Sequence, residues 1–181
     1  MRKFNAFLTA AMMLTFLAHA IFGAFQLFGI GDNALKVLAR ITVVLAAVHA
    51  VLGVIMTVQT LYAQKKAGVR YFMRNKLFWI RRISGFIIAV LLVFHITAFM
   101  AKPAGDAYRL ATFNTFKLIT QILLVLSIAV HVISNIKPAL MAFGIKSLKP
   151  YATDILIVVS VLLLVFIAAF IVYFIRWNAL G

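Results

Sequence analysis

FWIRRISGFIIAVLLVFHITAFM, residues 78–100, is an apolar run with two arginines near its start and one histidine near its end. About 20 apolar residues, at 1.5 Å each, cross the hydrocarbon layer of a membrane as a helix. This run is therefore long enough to span a bilayer, and four more runs resemble it. The sequence predicts an all-α fold, an integral membrane bundle of five transmembrane helices in a single domain over residues 1–181. The predicted spans are 5–29, 34–63, 78–100, 113–137 and 151–176.

The composition excludes a soluble globular domain. Of the 181 residues, 66% are hydrophobic and 12% are charged, and the mean hydropathy is +1.12, whereas a soluble domain is about half apolar. The chain has no cysteine. It therefore cannot ligate an iron–sulfur cluster through thiolates or attach haem covalently, and any haem must be held without a covalent bond.

The basic residues predict the orientation in the membrane. The chain has 18 Lys and Arg against three acids, for a net charge of +15. Because the basic residues lie between apolar runs, they indicate membrane flanks and anionic lipid rather than a nucleic-acid partner. Twelve of the 18 fall on one side of the predicted bundle. By the positive-inside rule we expect a multi-pass protein of the inner (cytoplasmic) membrane with its N-terminus inside and its C-terminus outside.

All four histidines lie near the middle of predicted spans: His19, His49, His95 and His131. A polar side chain inside a bilayer is costly and is by default a candidate functional residue. One histidine on each of four consecutive helices can provide axial ligands for two b haems, each held between two imidazoles.

Depth in the membrane predicts which histidines share a haem. His19 lies 12 residues before the outer turn near Gly31, and His49 lies 18 residues after it, so His49 is about 9 Å deeper. The same count along spans three and four places His95 nearer the outer side than His131. We therefore expect His19 and His95 to bind an outer haem, and His49 and His131 an inner haem.

Two histidines begin a short repeat. His19 and Gly23, like His49 and Gly53, are the ends of the pattern H-A-x-x-G. Glycine at i+4 lies on the same helix face as the histidine, where a missing side chain leaves room for a flat macrocycle. Glycines also serve close helix–helix packing in membranes, so both roles stay open here.

The third span carries a polar stripe. Arg81, Ser84 and His95 share one face of a 3.6-residue helix. Arg81 and Ser84 are predicted to bind the propionates of the inner haem, whereas Arg82 is expected to point elsewhere. The alternative for Arg81 is an arginine whose charge reaches the membrane interface.

A different class of function is a haem-free transporter that uses the histidines for protons or a transition metal. Such sites usually include intramembrane carboxylates. Here all three acids, Asp32, Asp106 and Asp154, lie at the ends of predicted spans, which favours haem.

The RRISG segment at residues 81–85, followed by Phe94 and His95, resembles the R-x-S-G…H segment of the membrane cytochrome b subunit of succinate dehydrogenases and fumarate reductases. The likeness is to the single-subunit, five-helix, two-haem kind. It implies a membrane anchor that carries electrons between menaquinone or another quinone and a cytoplasmic iron–sulfur protein with its FAD flavoprotein. The subunit itself would do no carbon chemistry. The cytochrome b of a hydrogenase or formate dehydrogenase is the alternative within redox proteins.

The resemblance also raises the question of the quinone site. Relatives that oxidise menaquinol use a glutamate near the outer haem, and this chain has no glutamate. Asp32, 13 residues after His19, is predicted to replace it as the proton acceptor, although a helix N-cap is an equally good role for Asp32. The inner face near Trp79 and Arg81 is a second candidate location.

Overall fold

The computed structural model describes residues 2–30, 36–68, 75–104, 107–110, 112–145, 147 and 149–180. Within them, five helices are each long and apolar enough to cross a membrane, which confirms the predicted helical spans of a multi-pass membrane protein. Their bounds are α1 Arg2–Leu27, α2 Lys36–Lys66, α3 Lys76–Ala98, α4 Thr115–Ala142 and α5 Ala152–Leu180.

A short β-hairpin between α3 and α4 was not expected from an all-α fold. Strand β1, Ala101–Ala104, pairs antiparallel with β2, Ala107–Leu110, and Ala104 lies opposite Ala107. In the sequence, the dipeptide between the strands is Gly105-Asp106, a composition typical of two-residue hairpin turns. The signal for the hairpin was therefore present, but it is short beside the apolar runs.

Helix α4 continues past Pro138, although the predicted span ended at residue 137. Proline has no N–H and usually ends or bends a helix, because the carbonyl four residues earlier loses its partner. That carbonyl belongs to Ser134, and it accepts a hydrogen bond from Nε of Arg81 at 2.7 Å. The arginine of α3 thus compensates for the proline of α4, and the helix runs on to Ala142.

The helices pack as two pairs with α5 alongside. The pairs are α1 with α2 and α3 with α4, and α5 packs on α1 and α4. Among the described residues, no Cα atoms of α1 and α3, or of α2 and α4, lie within 8 Å of each other. Most large apolar side chains are exposed, as expected where lipid is the solvent.

One end of the bundle, which we term the hairpin end, contains the β-hairpin and the C-terminal ends of α1 and α5. Asn178 of α5 donates to the carbonyl of Phe113, just before α4, at 3.3 Å. Arg176 lies against Gly29, where a Cβ would be only 2.6 Å from its Nη1. Gly29 has φ +88°, a conformation that glycine adopts without strain. The C-terminal end of α2 lies at the other end of the bundle.

Single cysteines can test both the fold and the orientation, since the native chain has none. Thr112→Cys lies at the hairpin end and Lys66→Cys at the end of α2, and both positions are exposed. We expect a membrane-impermeant maleimide to label Thr112→Cys in intact cells and Lys66→Cys only after permeabilisation. The reverse pattern would contradict the orientation predicted from charge. Labelling of both from one side would contradict the fold.

Candidate functional site

The histidines of four helices meet in two pairs. The rings of His19 and His95 have centroids 6.1 Å apart, and those of His49 and His131 are 6.4 Å apart. In both pairs the ring planes are at 89°. We term His19–His95 the hairpin-side pair and His49–His131 the far pair. These are the partners that the depth count expected.

The separation within each pair suits a single metal ion between two imidazoles. A metal–nitrogen bond is about 2.0 Å and the nitrogen lies about 1.1 Å from the ring centre, so two rings on one ion have centroids about 6 Å apart. Perpendicular planes fit the same arrangement, because each ring can rotate about the nitrogen–metal–nitrogen axis. Both pairs therefore have the spacing that a shared axial position requires.

In the hairpin-side pair, Gln121 of α4 orients His95. Its Oε1 lies 2.7 Å from Nδ1 of His95, and the glutamine side chain is fully buried, at 0% exposure. An amide oxygen only accepts hydrogen bonds, so Nδ1 of His95 carries the proton. The Gln121 amide nitrogen donates to Oγ1 of Thr120 at 3.3 Å. The remaining nitrogen of His95, Nε2, is left with a free lone pair.

In the far pair, two hydroxyl groups orient the imidazoles. Oγ of Ser84 donates to the carbonyl of Arg81 at 3.2 Å and lies 3.1 Å from Nδ1 of His131. Oγ1 of Thr9 donates to a carbonyl one turn earlier at 2.7 Å and lies 3.3 Å from Nδ1 of His49. Because each hydroxyl proton is already used, each oxygen accepts from the imidazole N–H.

Three of the four imidazoles are thus held at Nδ1, and no hydrogen bond from a described residue reaches their Nε2. Metal-ligating histidines almost always donate their other ring N–H to a neighbouring group, which sets the tautomer and the ring orientation. The structure provides that arrangement for His49, His95 and His131 with three different acceptors.

The two pairs lie at different levels along the bundle. Thr9, at the level of the far pair, is ten residues before His19 on α1, and Ser84, at the same level, is 11 residues before His95 on α3. At 1.5 Å per residue both counts separate the levels by about 15 Å. The sequence-based estimate of about 9 Å was too small, because counting from one turn ignores the axial offset between helices.

The glycines of the H-A-x-x-G repeat have open space beside them. A Cβ on Gly23 would meet no atom within 4 Å among the described residues, and one on Gly53 would meet only Nη1 of Arg82, at 3.9 Å. Neither glycine is therefore needed for backbone contact between helices. The open space is compatible with room for a ligand beside Gly23 and Gly53, which stays a prediction.

The expectation that Arg82 points elsewhere was wrong. Its Nη1 approaches the position beside Gly53, one helical turn from His49. Its guanidinium carbon lies 5.1 Å from the ring centre of Phe78. The helical-wheel estimate failed because an arginine side chain is long enough to reach round the helix. A cation therefore lies beside the far pair.

Arg81 and Ser84 are placed differently from the propionate role predicted for them. Nε of Arg81 is bound to the Ser134 carbonyl, where it compensates for Pro138. Ser84 is buried and lies on the Nδ1 side of His131, not on the Nε2 side that would face a metal. Ser84 thus orients the imidazole, and its role at a propionate stays a prediction.

Two residues at the site were missed in the sequence, and a third, Gly85 of the RRISG segment, was assigned no role there. Thr9 and Gln121 hold imidazoles, and Gly85 lets His131 approach, because a Cβ there would be 3.2 Å from Cε1 of His131. Gln121 could have been found, since a lone amide inside an apolar span is as costly as a histidine. Asp32, the candidate proton acceptor, lies outside the described residues.

The described residues contain no group of three or more His, Cys, Asp or Glu side chains that could hold a metal ion by themselves. The histidines come only in twos. Comparison of the chain with models of protein families, with curated proteins and with solved structures finds no match. The functional conclusion therefore depends on the geometry of the two pairs.

The close approach at Gly85 can be tested by stability. Alanine in place of glycine inside a helix normally stabilises it by about 0.5–1 kcal/mol. Gly23→Ala is expected to show that gain in protein purified without haem, as a higher midpoint of thermal unfolding. Gly85→Ala is expected to lose it, because the new methyl group displaces His131 from Ser84. An equal rise for both variants would contradict the contact.

Proposed function

We propose that the protein is a membrane cytochrome b that binds two b haems, with His19 and His95 as axial ligands of one and His49 and His131 of the other. The observation that carries the proposal is the repeated pair geometry, with centroids 6.1 and 6.4 Å apart and planes at 89°. A porphyrin occupies four positions around its iron, so two imidazoles complete the coordination. When bound, haem supplies one-electron redox chemistry.

The haem-free alternatives receive less support. A tetrahedral metal site needs three or four protein ligands, and the described residues contain no such group. A proton relay through the membrane usually includes buried carboxylates. Asp154, the acid that the structure describes, is exposed at the start of α5. Pairs of imidazoles with nothing else to complete a coordination sphere suit a macrocycle better.

The RRISG segment supports the proposal as a unit at the far pair. Arg82 provides a cation beside the pair, Ser84 holds Nδ1 of His131, and Gly85 gives that imidazole room. An arginine can bind a carboxylate through two parallel hydrogen bonds. Arg82 is therefore the residue we propose for a propionate of the haem at the far pair, in place of Ser84.

We further propose that this cytochrome is the membrane anchor and electron-transfer subunit of a succinate dehydrogenase or fumarate reductase, in the inner membrane. The resemblance of the RRISG…FH segment supports this role, as do two cofactor levels about 15 Å apart along the bundle. The partners would be an iron–sulfur protein, an FAD flavoprotein and a quinone, with Asp32 as the proton acceptor at the quinone site. FAD in the purified complex is expected; nickel or molybdenum would indicate a hydrogenase or formate dehydrogenase instead.

Each histidine can be tested by its effect on haem content. We expect the wild type to contain two b haems per chain. His19→Ala and His95→Ala are each expected to lose one haem, the same one, and His49→Ala and His131→Ala to lose the other. Pyridine haemochrome assays and reduced-minus-oxidised spectra measure the amount and identify the species lost. Gln59→Ala, at an exposed position of α2, is the control that should keep both haems.

The glycines separate a haem protein from a haem-free one. In the protein alone, a methyl group at Gly23 meets no described atom within 4 Å, so Gly23→Ala should fold normally. In the haem-bound protein that space is occupied, and the same variant should lose haem from the hairpin-side pair. Wild-type protein without haem, after expression with ample haem and any partner subunits, would overturn the proposal.

A further inference from the structure

We infer that Gln121 and Arg82 set the two haem sites at different reduction potentials. Gln121 lowers the potential at the hairpin-side pair, and Arg82 raises it at the far pair. The inference rests on the proposed function, since it concerns what these residues do to bound haems.

Gln121 acts through His95. The contact from Nδ1 to the amide oxygen, 2.7 Å, is short, and the glutamine is completely buried. A strong acceptor at Nδ1 draws the proton away from the ring and makes the imidazole a more basic ligand. A more basic axial ligand stabilises the oxidised, more positive iron, so the potential falls. Hydrogen bonding near the ligands is an established means of adjusting haem potential.

The far pair has weaker hydrogen bonds at the corresponding nitrogens. Its side-chain acceptors are hydroxyl oxygens, with contacts of 3.1 Å from Ser84 to His131 and 3.3 Å from Thr9 to His49. These longer contacts are weaker hydrogen bonds, and they polarise the imidazole N–H groups less than the glutamine does. The imidazoles of the far pair are therefore the less basic ligands, which leaves the potential there higher.

Arg82 acts on the far pair through its charge. The guanidinium stays protonated in proteins, and its Nη1 lies 3.9 Å from where a Cβ on Gly53 would be, one helical turn from His49. In the low dielectric of a membrane interior, such a charge acts more strongly than in water. A fixed positive charge disfavours the oxidised iron and so raises the potential.

Both effects increase the difference in reduction potential between the two sites. The hydrogen bond lowers the potential at the hairpin-side pair and the cation raises it at the far pair. An electron shared by the two haems is therefore held mainly at the far pair. The potential gradient then runs from the hairpin end towards the end of the bundle that contains Arg82. It is built from residues on α3 and α4, the two helices that pack together most extensively.

A redox titration of the purified, haem-loaded protein tests the inference. The wild type should titrate as two one-electron components. Gln121→Leu should raise the midpoint potential of the low-potential component, and Arg82→Gln should lower the midpoint potential of the high-potential component. We expect each to change its equilibrium constant for reduction by about tenfold, which is about 59 mV for one electron. The other component should stay in place each time, so that the two converge in the double variant.

Conservative variants separate tuning from structural damage. Gln121→Glu keeps an acceptor oxygen and adds negative charge, so it should lower the lower component, opposite to Gln121→Leu. Arg82→Lys keeps the charge and should leave the higher component near its wild-type value. Gln59→Leu and Arg40→Gln, at exposed positions of α2, should move neither. If Gln121→Leu does not retain haem, the sign of the change in midpoint potential in Gln121→Glu tests the role of Gln121 instead.

The outcomes distinguish this inference from the function it rests on. Shifts of the same component by both residues, shifts of the opposite sign, or unchanged potentials with both haems retained would overturn the inference alone. A wild-type protein without haem would overturn the proposed function, and the inference with it.

Discussion

An imidazole inside a hydrocarbon layer must have a partner, and this constraint organises the bundle. Four helices each bring one histidine to the interior, and the structure resolves them into two pairs whose rings are about 6 Å apart. Three of them are fixed at Nδ1 by polar side chains of neighbouring helices. A bilayer makes unsatisfied polar groups expensive. The buried Gln121 and Ser84 and the partly buried Thr9 therefore satisfy the histidines in the interior of the bundle.

The same constraint explains the segment around Arg81. Pro138 removes an N–H from α4, and the exposed carbonyl of Ser134 would be costly in lipid. Arg81 satisfies it, while its own carbonyl accepts the hydroxyl proton of Ser84, which leaves the Ser84 oxygen to hold His131. One stretch of α3 thus supports the backbone of α4 and orients its histidine. These contacts join α3 and α4, the pair of helices that pack together most extensively among the described residues.

The sequence was sufficient for the features that depend on long patterns. Apolar length gave the five spans, and residue counts placed His19 with His95 and His49 with His131. It was insufficient for features of the structure that depend on a single side chain or a single turn. A single Gly-Asp dipeptide was the sequence signal for the hairpin, and the position of Arg82 depends on a flexible side chain that no helical wheel describes. The continuation of α4 past Pro138 depends on a residue 57 positions earlier, Arg81, and no local signal in α4 reports it.

The account depends most on whether each histidine pair holds one haem iron. Low-temperature EPR spectroscopy of the oxidised protein, with haem quantified on the same sample, tests this most directly. Two axial imidazoles with perpendicular planes give a strongly anisotropic low-spin ferric signal. We predict two such signals, each corresponding to one haem per chain, because both pairs have planes at 89°. A protein without haem signals, or with high-spin haem that lacks a second imidazole, would contradict the account.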